Sequence, residues 1–134
     1  QRKEVLMNNA VALYVPANTD TAAVIPFEVG ESYEMLQNAV GGWFELVCFP
    51  NGVDMWVNED GIALGLPMNA LATAAHWKAF PNAIGRAFIY GNVIFTGCTD
   101  DEGDTLGLDL DGFDFLGILC DEFGIKLDLE LMAP

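Results

Sequence analysis

The sequence predicts one α+β domain, a mainly antiparallel sheet of about five to seven strands packed against two or three helices. Three observations predict it. Short β-rich runs such as WFELVCF (43–49) and VDMWVN (53–58) flank turn signals, here Pro50-Asn51-Gly52, and read as hairpins. Two apolar stripes at helical spacing, Leu36 with Val40 and Leu116 with Leu119, Cys120 and Phe123, each run into a glycine stop. A length of 134 residues, 52% of them hydrophobic, suits a single core over 1–134 and excludes a chain disordered throughout.

In chain order, residues 5–7 and 11–15 are strand-like around the turn-prone Asn8-Asn9 and predict a hairpin. Residues 22–29 read as extended, with Pro26 tolerable on an edge. Residues 31–40 follow as a helix with acids in its first turn, Ser32 at its start and Gly41-Gly42 at its end. The hairpin 43–49/53–58 continues through Asn58-Glu59-Asp60-Gly61, whose Asn58 and Gly61 suit positive φ, into a third strand at 62–66. Asn69 caps a helix reaching about Ala79, where the following proline at 81 disfavours helical geometry. Residues 87–97 are the most strand-like and predict a central strand, with Gly91 marking a bulge or a close approach of another backbone. After an acidic loop, 106–110 reads as extended, Asp111 and Asp114 as a helix-start pair, and Gly124 as the helix stop. The faultless alternation of residues 125–131 predicts a last strand with one wet face, integral to the sheet.

The charge balance excludes whole classes of partner. Twenty acids stand against five Lys and Arg, for a net charge of −15. Such a chain repels nucleic acid and anionic lipid, so neither direct nucleic-acid nor membrane binding is expected. No apolar run approaches the roughly 18 residues of a membrane span, which predicts a soluble, cytoplasmic protein. Cys48, Cys98 and Cys120 are odd in number and widely spaced, which fits reduced thiols packed as small hydrophobes.

Three segments, Leu36-Gln37-Asn38-Ala39-Val40-Gly41-Gly42-Trp43-Phe44-Glu45, then Asn58-Glu59-Asp60-Gly61 with Leu66-Pro67-Met68-Asn69, then Gly91-Asn92-Val93-Ile94-Phe95-Thr96-Gly97, fall in a recognisable order. Together they resemble the family catalogued as domain of unknown function 3846, over roughly residues 11–110. The resemblance implies a small α+β module of phages, plasmids and their bacterial hosts, with no established activity. The acidic helix and strand of residues 111–134 lie beyond it. The motif positions have a structural explanation as helix stop, turn and cap. The alternative is a polar recognition surface formed by the turn Asn58, Glu59, Asp60 and Gly61 together with Asn69.

Catalytic chemistry has little to build on. Ser32 and His76 are the sole serine and histidine, so a Ser-His-Asp triad needs both, yet Ser32 reads as a cap and His76 as an exposed imidazolium near a helix end. A pairing of His76 with Cys48, Cys98 or Cys120 is the remaining nucleophilic option. No C-x-x-C or histidine pair offers zinc ligands. Asp100, Glu102, Asp104 and Asp111 imitate the ligand spacing of a calcium loop, but Thr105 stands where its sharp turn requires glycine and Asp111 is shorter than the usual glutamate. No catalytic residue, metal or cofactor is therefore expected.

The placement of the acids says more. Eleven of the twenty lie in residues 98–134 beside one base, Lys126. Asp100, Asp101, Glu102, Asp104, Asp109, Asp111 and Asp114 are accordingly the candidate partner-binding residues, the partner being a basic protein. Three readings stay open. The chain is an acidic interaction protein of a mobile element, such as a phage inhibitor or DNA mimic, a structural or accessory module whose acidity serves solubility, or a small enzyme with a carboxylate or Cys/His site. A globule of this length spans about 36 Å, so a monomer imitates about half a turn of duplex and a fuller mimic needs a dimer.

Overall fold

The computed structural model describes residues 10–129. It is an α+β fold: a six-stranded sheet packed against three helices. The strands are β1 (Val11–Val15), β2 (Thr21–Pro26), β3 (Phe44–Cys48), β4 (Val53–Asn58), β5 (Val93–Gly97) and β6 (Lys126–Asp128). The helices are α1 (Tyr33–Val40), α2 (Ala70–Ala79) and α3 (Leu110–Glu122). The spatial order is β3-β4-β5-β1-β2-β6, antiparallel throughout except that β6 runs parallel to β2.

Alternation along the strands divides the core into two layers. Leu13, Val24, Met55 and Phe95 face α2 and α3, where they meet Leu71, Ala75, Phe113, Leu116 and Leu119. Ala12, Trp56 and Ile94 face the other way and are covered by Leu36 and Val40 of α1. Both faces of β4 and β5 are thus buried, which explains their near-continuous apolar sequences.

Several expectations are corrected. Residues 62–66 wind as a turn, with Leu64 N–H bonded to the Asp60 carbonyl and Leu66 N–H to that of Gly61. The place beside β4 that a third meander strand needs is taken by β5, and Ile62 stays 78% exposed. Neither Asn58 nor Gly61 takes positive φ. The turn forms instead because the Asn58 side chain accepts the Asp60 N–H at 2.8 Å.

The strand expected over 87–97 is confined to β5, central as expected, because the chain breaks at Gly91 (φ 90°). The expected close approach of another backbone is present, Gly91 N–H donating to the Pro67 carbonyl, and a Cβ there would also stand 2.7 Å from Leu66 Cδ1. Residues 106–110 form no strand, although Leu106 and Leu108 bond to Cys98 and Val11. Helix α3 begins earlier than the Asp111/Asp114 pair implied, capped by Asp109, whose carboxylate accepts the Gly112 N–H at 2.7 Å. Ser32 occupies the cap position of α1 but makes no capping side-chain bond, while Gly41 (φ 77°) ends that helix as expected. Residues 5–9, with the first half of the expected N-terminal hairpin, and residues 130 and 131 of the last strand lie outside the described residues. No helix of the described residues is long and apolar enough to cross a membrane.

Candidate functional site

The acidic loop is built by its own first carboxylate. Asp100 Oδ1 accepts the N–H groups of Glu102 and Asp104, both at 2.9 Å, and an antiparallel bridge between Thr99 and Thr105 closes the base. Asp100 therefore folds the loop, Asp101 and Glu102 project into solvent, and Asp104 is half-buried. Its carboxylate accepts no hydrogen bond from the described residues and lies against Gly30, 3.9 Å from where a Cβ would stand. The loop thus abuts the segment that enters α1, which carries Glu28, Glu31 and Glu34, all exposed.

Between these segments lies a notch of about 260 Å³ walled by Tyr33, Phe44 and Trp56 and edged by Asp104. The rings stand edge to face, Tyr33 to Phe44 at 5.5 Å between centroids and Phe44 to Trp56 at 5.2 Å. Trp56 is fixed from below by its indole N–H, which donates to Thr96 Oγ1 at 2.8 Å, whereas Tyr33 is 56% exposed. Segments 28–34 and 100–104 contribute seven carboxylates, and the sequence holds no Lys or Arg between Lys3 and Lys78 or between Arg86 and Lys126. The site is strongly negative and aromatic-walled.

The other expected acids lie elsewhere. Asp109 caps α3, Asp111 is exposed in its first turn, and Asp114 is half-buried, all on the side of the sheet opposite α1. The recognition turn divides too. Asn58 is buried, donating to the Val40 carbonyl at 3.0 Å, and Asn69 is 1% exposed, donating to the carbonyls of Val15 and Gly91 and accepting from Ala72 N–H. Only Glu59 and Asp60 reach solvent, on the rim of a groove of about 440 Å³ that also includes Phe88 and Tyr90.

The sole serine and the sole histidine are kept apart. Ser32 precedes α1 on one face of the sheet and His76 sits in α2 on the other, so the two form no dyad. His76 is not the exposed imidazolium expected. It packs against Phe49 and Phe80, its Nδ1 is buried without a partner among the described residues, and burial lowers its pKa. The cysteines also depart from expectation, since none is in a disulfide among the described residues but only Cys120 is buried. Cys48 and Cys98 are exposed around Asp54, which is 2% exposed. Burial raises the pKa of Asp54 against a weaker opposing hydrogen bond from the Cys48 thiol, and its Oδ1 has no partner among the described residues. Burial, then the charge of Asp54, raises both thiols, the opposite of what an activated nucleophile needs. Among the described residues no group of three His, Cys, Asp or Glu is placed to hold a metal ion.

Sequence reasoning missed the aromatic notch and the buried Asp54. Half of the notch was within reach, because pairing Cys48 with Asp54 across the turn sets Phe44 diagonal to Trp56. Tyr33 arrives from α1 through tertiary packing, and no sequence signal placed it there.

The motif segments hold one another in place. Asn58 ties the turn after β4 to the end of α1, Gly91 N–H donates to the Pro67 carbonyl at 2.7 Å, and Asn69 closes on Gly91. No curated protein and no solved structure matches the chain. The family described as Domain of unknown function (DUF3846) matches residues 10–116, from the start of β1 into α3 and so past the boundary expected at 110. With that match over most of its length, and with the motif residues joined in space, the chain belongs to the DUF3846 family.

Proposed function

We propose that the protein is a non-enzymatic interaction module of a mobile genetic element, acting in the cytoplasm of a bacterial host, that docks on a basic protein through its acidic pole. One observation supports this reading above others: segments 28–34 and 100–104, which meet at an aromatic notch edged by Asp104, carry seven carboxylates and no cation. Like charges held together at a surface raise the local potential and draw a basic partner from beyond the screening length, about 8 Å at physiological salt. A nucleic-acid-binding protein offers such a basic surface, and an inhibitor that imitates phosphates fits it. The competing reading, that acidity serves solubility alone, draws on Asp100 and Asp109, whose carboxylates are engaged by their own backbone.

Capture from host extract at low and high salt tests the proposal, comparing the natural chain with a variant carrying Asp100→Asn, Asp101→Asn, Glu102→Gln and Asp104→Asn. The amide oxygen introduced at position 100 still accepts the two loop N–H groups, so the variant removes charge while keeping the loop. The expected outcome is a basic protein whose capture is lost both in salt and in the variant. Capture indifferent to both changes, or no partner at all, leaves acidity as a solubility device.

A further inference from the structure

We infer that the notch walled by Tyr33, Phe44 and Trp56 receives one cationic side chain of the docked protein, an arginine guanidinium fitting best. This inference rests on the docking reading and gives it an anchor. Tyr33, 56% exposed, supplies the open ring surface, while Phe44 and Trp56, packed edge to face at 88°, form the floor beneath it. A cation over such faces is attracted to the ring quadrupoles, and the attraction grows as water is excluded. Trp56 is 7% exposed and pinned by Thr96, so its ring needs no ordering on binding.

Charge selects the ligand. Among the described residues the Asp104 carboxylate edges the notch without a hydrogen bond, and no Lys, Arg or His lines the site. An apolar side chain entering it leaves that carboxylate partly desolvated and unpaired, and an anion is repelled. Arginine satisfies both walls, because its planar guanidinium stacks on aromatic faces and its fork of N–H donors matches a carboxylate. Lysine satisfies the charge but does not stack.

The test is an NMR titration of the full chain with the peptide acetyl-Gly-Arg-Gly-amide and with its citrulline counterpart, which keeps the shape but loses the charge. The arginine peptide is expected to shift the Trp56 indole N–H, the Tyr33 ring and the Asp104 amide saturably, leaving the Trp77 indole in place. The citrulline peptide is expected to shift none of them. Tyr33 is mostly exposed, so Tyr33→Leu preserves folding, and it is expected to weaken binding by about three- to five-fold. Asp104→Asn is expected to weaken it by about five-fold. Equal shifts by both peptides, or shifts that survive both substitutions, overturn the inference. So do shifts of the same signals on concentrating the peptide-free protein, which would place a second copy of the chain in the notch. Salt-sensitive capture that persists while the arginine peptide leaves Trp56 unmoved refutes the anchor alone. If capture fails as well, the docking reading falls with it.

Discussion

Replacing Asp54 by Asn is predicted to stabilise the protein at neutral pH and to leave it unchanged in acid. Asp54 sits on β4 between Cys48 and Thr96 in the ladder. It is 2% exposed, with one oxygen accepting the Cys48 thiol and the other unpartnered among the described residues. Burial raises its folded pKa above the unfolded value of about 3.9. The unfolded chain therefore loses this proton first. The stability contribution of the protonated group is fully present below about pH 3.9 and is lost as pH rises through the folded pKa. At pH 7 folding must either bury this charge or take up a proton, a penalty of order 1–3 kcal/mol for a buried, incompletely satisfied acceptor. Asparagine is isosteric, so no cavity opens, but its amide brings two donors with no assigned acceptor, which offsets part of the gain. The net expectation is about 1 kcal/mol, or roughly 3 °C in Tm for a chain of this size. Paired thermal melts between pH 3.5 and 8 isolate the effect, since the other carboxylates are common to both proteins. A variant less stable at pH 7, or an advantage that widens toward acid, would refute the assignment of a buried, poorly solvated carboxylate.

Three further outcomes follow from the packing. Burial depresses the pKa of His76, so its stabilising contribution is present above about pH 6.5 and is lost as pH falls toward the folded pKa; His76→Leu is expected to reduce the drop in urea midpoint between pH 7.5 and pH 5, and an unchanged drop contradicts the packing against Phe49 and Phe80. Asn69→Ala removes the α2 cap and strands the carbonyls of Val15 and Gly91, a loss of about 3 kcal/mol measurable by urea denaturation. Truncation before Ile125 removes β6 from the edge of β2 and uncovers the flank of the core packed by Ile125 and Leu127, so an insoluble or molten product is expected. A soluble truncation that melts cooperatively contradicts that placement.

What the sequence made legible is what local chemistry decides. The hairpin of β3 and β4, the Asn69 cap and the Gly41 stop each follow from residues near in sequence, and each stands where it was expected. The 62–66 run failed because strand propensity cannot choose between two competitors for one ladder, and β5 buries more on both faces. His76 failed for a related reason. Position near a helix end suggests exposure, but the rings that cover it, Phe49 and Phe80, come from elsewhere in the chain or from the turn beyond the helix. Acidic residues were easy to count and hard to interpret, since carboxylates at 100 and 109 turned out to satisfy backbone donors.

The spatial distribution of charge narrows the form that mimicry of DNA can take. One turn of duplex carries about twenty phosphates. The pole around the notch offers seven carboxylates, and one of them, Asp100, is turned toward its own loop. The acids of α3 lie across the sheet and do not continue the same surface. If the proposed mimicry holds, a single copy would match about a third of a turn, less than the half turn that total charge suggested, and a longer track would require a second copy. In the proposed complex, long-range attraction would set the rate of encounter, and the short-range fit of a side chain into the aromatic notch would set how long the complex lasts. The two contributions separate experimentally. Neutralising Asp101 and Glu102, exposed and away from the rings, should slow association and flatten its salt dependence, whereas Tyr33→Leu should quicken dissociation at every salt concentration.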